Sequence, residues 1–206
     1  KVWQSPVAGN LYLSVGWRYD AGIHILAGMS VAIGVAIAST LNTLFNTDQF
    51  KLKWPNDIWW SDHKVAGILI EVQGDAASEC ACVIGLGVNV APKSQWAEQV
   101  SGVRWQTLTD IANSASVQLP DRNTLAAKLA QAIISVCNTY DSVGIAGYLE
   151  AFTALDALHE REVVVDSAQG LLVGRAKGVD STGLLQVEID GLTQNLNAAE
   201  VSLRIQ

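Results

Sequence analysis

The sequence predicts an α+β protein: a β-sheet flanked by helices over most of the chain, then a small β-barrel or sandwich at the C-terminal end. Three observations predict it. Before residue 90, runs of alternating apolar and polar residues are bounded by turn signals. Helix-length segments rich in Ala and Leu stand between and after them. From His159-Glu160 onward the texture changes to short strands separated by glycine-bearing turns. The expected organisation is therefore a large unit over 1–159 and a small one over 160–206.

The 206 residues are 50% hydrophobic, enough to bury a sizeable core. The net charge of −7 makes this stretch a poor generic binder of polyanions, since it lacks the excess Lys and Arg that would release counterions from DNA. The three cysteines (Cys80, Cys82, Cys137) have no metal-ligand spacing and read as small core residues in a reducing compartment. The chain opens at Lys1 rather than Met, and we expect it to be a piece whose upstream part lies outside it.

Asn10 to Arg18 alternates, with Leu11, Leu13, Val15 and Trp17 on one face, as a half-buried strand does. Ala21 to Ile25 reads as a loop. Leu26 to Leu44 has helical length and few charges. Its apolar run from Ile25 is interrupted by Ser30, Ser39, Thr40, Asn42 and Thr43, so it is expected as a buried helix rather than a membrane span. Phe50 to Trp54 alternates again and stops at Pro55. Ile58 to Trp60 and Lys64 to Val72 flank Ser61-Asp62-His63 as a hairpin. Cys80 to Val90 is a third, nearly all-apolar strand, expected inside the sheet. Pro92 to Gly102 reads as a polar loop and Thr107 to Ser114 as a short helix. Pro120-Asp121 opens a helix over Arg122 to Tyr140, and another covers Tyr148 to Leu158. The tail offers REVVV, LLVGRAKGV, LLQVEI and TQNLNAAEVSLRI as strands.

Chemistry concentrates between Lys51 and Val90. Lys64 stands at the mouth of Val65 to Ile70, where a compact cation holds a carboxylate or phosphate, or is simply a solvated turn lysine. Gly67 allows close backbone approach or marks a bulge. Gly85 and Gly87 share one face of the next strand; if the strands are neighbours they floor a flat slot for a bicyclic ligand or acyl chain, or a tight sheet crossing. Asn56 and Asp57 follow Trp-Pro and either satisfy a turn or, for Asp57, help place a phosphate-bound Mg²⁺. Asn89 has an amide suited to an adenine edge, and Trp3 a ring suited to stacking or to a core. P-loop, G-x-G-x-x-G, H-E-x-x-H and G-x-S-x-G patterns are absent from the sequence, and the histidines are scattered.

Lys53-Trp54-Pro55-Asn56-Asp57, then Lys64-Val65-Ala66-Gly67-Ile68-Leu69-Ile70-Glu71, then Gly85-Leu86-Gly87-Val88-Asn89 resembles, in order and spacing, the signature of biotin protein ligases. Trp3 to Ser14 resembles the segment after that family's adenylate-binding loop. Asp121 to Leu125 resembles a helix start of the bacterial members that double as biotin repressors. The resemblance implies the mixed β-sheet flanked by helices of the class II aminoacyl-tRNA synthetase/biotin ligase-like catalytic domain, plus an SH3-like C-terminal barrel. It implies formation of biotinyl-5′-AMP from biotin and ATP, then transfer of biotin to a lysine of a biotin carboxyl carrier domain of acetyl-CoA carboxylase. By resemblance Lys64 and Asp57 are catalytic. Lys64, Gly67, Leu69 and Gly85 bind biotin; Trp3, Asn56, Asn89 and Lys177 bind the nucleotide; Asp57 helps place Mg²⁺. At Lys177 the family's familiar residue is Arg. The implied cofactors are ATP, biotin and Mg²⁺. The implied setting is cytoplasmic, with no membrane, a possible homodimer, and nucleic acid bound through an N-terminal domain outside these residues. The family's Gly- and Arg-rich loop should lie just before Lys1, and its biotin ureido-reading groups further upstream. Two other readings stand beside this one: a lipoate ligase or octanoyltransferase on the same fold, and a catalytically silent ligand-sensing module of a transcriptional repressor. The KWPND segment and the second glycine pair favour biotin.

Overall fold

The computed structural model describes residues 9–76, 78–91, 104–167, 170–198 and 201–205. Trp3 and the loop at 92–102 lie outside the described residues.

Alternation produces the first sheet. Strands β1 (Asn10–Tyr19), β2 (Phe50–Lys53), β3 (Asp57–Trp60), β4 (His63–Gly74) and β5 (Cys80–Asn89) lie in the order β1-β5-β4-β3-β2. Every neighbouring pair is antiparallel. The parallel pairings described are isolated bridges, Leu52 with Asp156 and Lys64 with Trp105. β5 lies inside the sheet, as its apolar composition predicts, but one face of it is open: its burial alternates strictly with position.

The predicted buried helix is α1 (Met29–Phe45). It starts later than expected because Gly28 adopts a left-handed φ of 74°, after a 3-10 turn at Ile23–Leu26. A side chain at Gly28 would meet Ile145 at 2.9 Å, so close packing also requires glycine there. The helix ends at Asn46, also left-handed, with Thr47 N–H donating to Asn42 O at 3.0 Å. The Asn42 side chain then brackets the Phe50 backbone, accepting from its N–H at 2.9 Å and donating to its carbonyl at 3.0 Å. By length and apolarity 23–45 is long enough to cross a membrane, with mean hydropathy 1.8. Here that apolarity covers a core: Ile33, Ile37 and Leu41 pack with Leu52, Ile58 and Ile84. Gly34 lets the helix approach so closely that an added Cβ would lie 2.6 Å from Leu52.

Helix α2 (Leu108–Ala115) is capped by Thr107, whose side chain accepts from Asp110 N–H. Helix α3 (Arg122–Cys137) is capped by Asp121 and buries Leu125, Leu129, Ile133 and Val136. It is shorter than expected: the chain turns after Cys137, and Tyr140 opens a separate short helix α4 (Tyr140–Val143). Tyr140 is fully buried and donates its hydroxyl proton to Ala27 O, so it is pulled out of line with α3. The next helix is also trimmed. A 3-10 turn at Ile145–Tyr148 precedes α5 (Leu149–Leu155), and Asp156 ends it in an extended conformation, bridging to Leu52.

The tail forms a second antiparallel sheet from β6 (Glu162–Ser167), β7 (Gly170–Val179), β8 (Leu185–Ile189), β9 (Leu192–Leu196) and β10 (Val201–Ile205), in the order β10-β6-β7-β8-β9. The run TQNLNAAEVSLRI contributes two strands rather than one: β9 closes a hairpin with β8, and β10 returns to pair with β6. Val163, Val165, Ala176, Leu185 and Val187 are its core.

Candidate active site

The helices cover one face of the first sheet and leave the other open. Val65, Ala66 and Ile68 are buried, whereas Leu69 is 64% exposed. Strand period places Gly67 and Leu69 on the open face, together with Gly85 and Gly87 of the neighbouring strand. The registers align them into rows. Asp57 stands opposite Gly67, Gly67 opposite Gly87, and Gly87 opposite Tyr12. In the next row Leu69 stands opposite Gly85 and Gly85 opposite Ser14. Three glycines are thus contiguous, and the sheet surface there is bare backbone, walled by Leu69 and Tyr12.

At the rim of this floor Lys64 Nζ donates to Asp57 Oδ1 at 2.5 Å. The two side chains are 22% and 20% exposed, so the pair is largely desolvated yet reachable. A register shift at Ile58/Trp59 sets it up: β4 buries both Val65 and Ala66, which brings Lys64 opposite Trp59 on the open face. The Lys64 backbone is fixed on both sides, its N–H donating to Arg104 O and its carbonyl accepting from Gln106 N–H, each at 2.9 Å.

Both asparagine side chains donate to backbone carbonyls. Asn56 Nδ2 donates to Ile68 O at 2.7 Å, while Asn56 O accepts from Ile68 N–H at 2.9 Å. Asn56 therefore extends the ladder to β4 and fixes the start of β3. Asn89 Nδ2 donates to the carbonyls of Lys64 and Gln106, both at 3.3 Å, so its amide nitrogen holds the strand under Lys64. Lys177 lies on the second sheet, where it pairs with Glu160 at 3.0 Å and Glu188 at 3.6 Å. The Glu160 carboxyl is held below its usual range by that lysine.

Sequence reasoning missed the fastenings of this hairpin. Trp54 Nε1 donates to Gly183 O at 2.9 Å, and Arg161 forms a two-pronged pair with Asp62 at 2.6 and 3.0 Å. Arg161 holds the Asp62 carboxyl below its ordinary range. These partners are far apart in the chain, and no local pattern marks them. The Trp59 indole N–H is buried with no hydrogen-bond partner among the described residues, and Lys53 Nζ sits 5.2 Å from that ring. Among the described residues no three His, Cys, Asp or Glu side chains gather as a metal-ligand group. A magnesium ion would meet one protein carboxylate, Asp57, which suits an ion that otherwise keeps water and phosphate oxygens.

The antiparallel sheet thus has one helix-covered face and, on the other, a cation–carboxylate pair beside a glycine floor. Residues 1–89 match the model of the biotin/lipoate A/B protein ligase family, so this part of the chain carries that family's domain. Residues 158–204 match the model of the biotin protein ligase C terminal domain. The chain is 36% identical over 202 residues to the bifunctional ligase/repressor BirA of Escherichia coli K12, covering 98% of this chain and 61% of that protein. It is 28% identical over 206 residues to the biotin--[acetyl-CoA-carboxylase] ligase of Mycobacterium tuberculosis, covering 97% of this chain and 71% of that one. The fold is similar to the biotin protein ligase of Aquifex aeolicus solved in complex with biotin and ATP, with a TM-score of 0.77 and 20% identity over 96% of this chain and 79% of the other. The chain thus spans less than two thirds of the length of the E. coli relative.

Proposed function

We propose that this chain is the catalytic part of a biotin protein ligase, with residues 1–159 as the catalytic domain and 160–206 as the small C-terminal barrel domain. One observation carries the reading: the Lys64–Asp57 pair stands at the rim of the glycine floor formed by Gly67, Gly85 and Gly87. A flat bicyclic ligand lies on bare backbone, beside Leu69, and directs its carboxylate to Lys64.

In the first step a carboxylate oxygen of biotin attacks the α-phosphorus of ATP. The bond to pyrophosphate breaks and biotinyl-5′-AMP forms. Lys64 approaches both the carboxylate and the phosphate, neutralising charge that builds as the two anions meet, in a setting where water is partly excluded. For that it must release part of its bond to Asp57. Magnesium, where bound, neutralises phosphate charge, and Asp57 is the residue that would help hold it. In the second step the ε-amine of an acceptor lysine attacks the acyl carbon, AMP leaves, and Asp57 is placed to take the amine's proton. Asn56 and Asn89 act on the nucleotide side through the backbone they fix. Trp3 stacks on adenine. Lys177 meets the phosphates by exchanging Glu160 and Glu188 for them.

The acceptor is the biotin carboxyl carrier domain of acetyl-CoA carboxylase; acetyl-CoA carboxylase is the protein in the name of the M. tuberculosis relative. A further role as biotin-operon repressor, through a DNA-binding domain outside these residues, and a homodimer belong to the same proposal; the name of the E. coli relative motivates the former. The setting is cytoplasmic. The test is to incubate the full-length protein with ATP, Mg²⁺, biotin and a carrier domain, and weigh the carrier. Mass gain by one biotin per carrier supports the reading. Transfer of lipoate or octanoate instead, or no transfer, overturns it.

A further inference from the structure

The hairpin that carries the Lys64–Asp57 pair is fastened at both ends by the second sheet and its lead-in. Ahead of β3, the Trp54 indole N–H is bonded to Gly183 O in the β7–β8 turn, with Trp54 itself buried. That turn is seated tightly: a Cβ at Gly183 would lie 2.8 Å from the Gly28 Cα, and Gly183 has a left-handed φ of 85°. The turn is itself shaped by Asp180, which accepts from the N–H groups of Thr182 and Leu184. At the far end, Asp62 stands in the two-residue β3–β4 turn with a φ of 63°, and Arg161 grips its carboxylate with both guanidinium prongs. Arg161 is itself held in place: the chain just before it pairs with β2, Ala157 N–H donating to Leu52 O at 3.0 Å. Asp57 follows Trp54 closely and Lys64 follows Asp62 closely, so the two fastenings bracket the reactive pair.

We propose that Arg161 and Trp54 are positioning residues: through them the C-terminal sheet sets the β3–β4 hairpin so that Lys64 and Asp57 meet the reacting carboxylate and phosphate. The inference rests on the reading of this site as an adenylate-forming one. A hairpin in a two-residue turn holds its own backbone, but its tilt on the sheet is set by what grips its ends. Release of either end moves the Lys64 ammonium relative to a ligand lying on the glycine floor. Displacements of about 1 Å cost on the order of a hundredfold in rate when geometry alone supplies the catalysis. The floor lies where β4 is paired with β5 from Ala66 onward, beyond the end of the hairpin that Arg161 grips, so the loss falls more on turnover than on biotin binding.

The experiment uses the full-length protein with Arg161→Asp, Asp62→Arg, the double exchange carrying both, and Trp54→Phe, which keeps an aromatic ring, though a smaller one, and removes the donor. Adenylate formation is followed by pyrophosphate release, with melting temperature and amide hydrogen exchange of 57–67 measured alongside. The expected result is kcat lowered about tenfold in each charge reversal and in Trp54→Phe, with KM for biotin changed by less than about threefold. The double exchange should return kcat to within about threefold of the parent. Unchanged kcat in the single variants, or a double exchange as slow as they are, overturns the proposal. If the parent protein forms no adenylate, the reading of the site fails, and hydrogen exchange decides the clamp separately. Faster exchange in the single variants, restored in the double, supports it; equal exchange in all of them overturns it.

Discussion

Lys64 and Asp57 face each other across the β3–β4 hairpin, the ammonium donating to the carboxylate at 2.5 Å. Each is about four-fifths shielded from water, so the pair stores its charges for a ligand rather than spending them on the solvent. An incoming carboxylate competes with Asp57 for Lys64. Replacing Asp57→Asn removes the competitor but also the carboxylate next to the phosphates. Biotin affinity, by calorimetry, should be retained or improved, while adenylate formation falls about a hundredfold and needs more Mg²⁺. Weaker biotin binding with unchanged turnover would assign Asp57 to the ligand pocket alone.

The glycine floor gives a prediction that separates binding from folding. A Cβ at Gly85 would meet Leu69 O at 3.5 Å and Leu69 Cβ at 3.9 Å, ordinary contacts, and its φ is not left-handed. Gly85→Val should therefore keep the melting temperature, helped by the strand preference of a β-branched residue. It should raise KM for biotin by about tenfold or more, because the side chain occupies the floor. Gly16, on the same face with nothing within 4 Å of its Cβ direction, is the control. Gly16→Val should leave KM as it is. Steady-state kinetics with both variants checks the pair of outcomes.

Asp156 predicts a pH dependence. It ends α5, accepts from Leu158 N–H at 2.8 Å through Oδ1, and its Oδ2 is buried with no partner among the described residues. Burial pushes its carboxyl above the ordinary range, against smaller opposing effects of the Leu158 N–H and His159. The sign follows from which state holds the proton. Below the unfolded value of about 3.9 both states are protonated and nothing is lost. As pH rises from there through the raised folded value, the unfolded chain ionises first and stability falls. Asp156→Asn keeps the Oδ1 acceptor and removes the ionisation. Its melting temperature should match the parent's in acid and exceed it by a few degrees at neutral pH. Thermal melts across that range check it; a gap that does not change with pH contradicts it.

Much of this fold is legible in the sequence, because the alternation in NLYLSVGWR and the apolar run in CACVIGLGVNV depend only on which face each residue shows. Helix ends are less so. Gly28 delays α1 by its left-handed φ, at a place where Ile145 leaves no room for a side chain, and Tyr140 breaks α3 through a bond to Ala27; both are tertiary. For the candidate site, residue types are legible and registers are not. That Gly67 faces Gly87 follows from strand pairing, and the bulge that turns Lys64 toward Asp57 leaves no local mark. Asn89 reads as a base-binding amide in the sequence; that its amide nitrogen also donates to the Lys64 and Gln106 carbonyls follows only from the fold. Arg161 reads as the start of a strand, and Asp62 as a turn residue; their pairing joins two separate parts of the chain.

The central claim is that Lys64 neutralises the meeting of carboxylate and phosphate on the glycine floor. It is tested most directly by single-turnover formation of biotinyl-5′-AMP in Lys64→Ala and the parent, at saturating biotin and ATP. The account predicts a fall of at least about a hundredfold, with the melting temperature little changed. Parent-like formation of the adenylate by Lys64→Ala would contradict it.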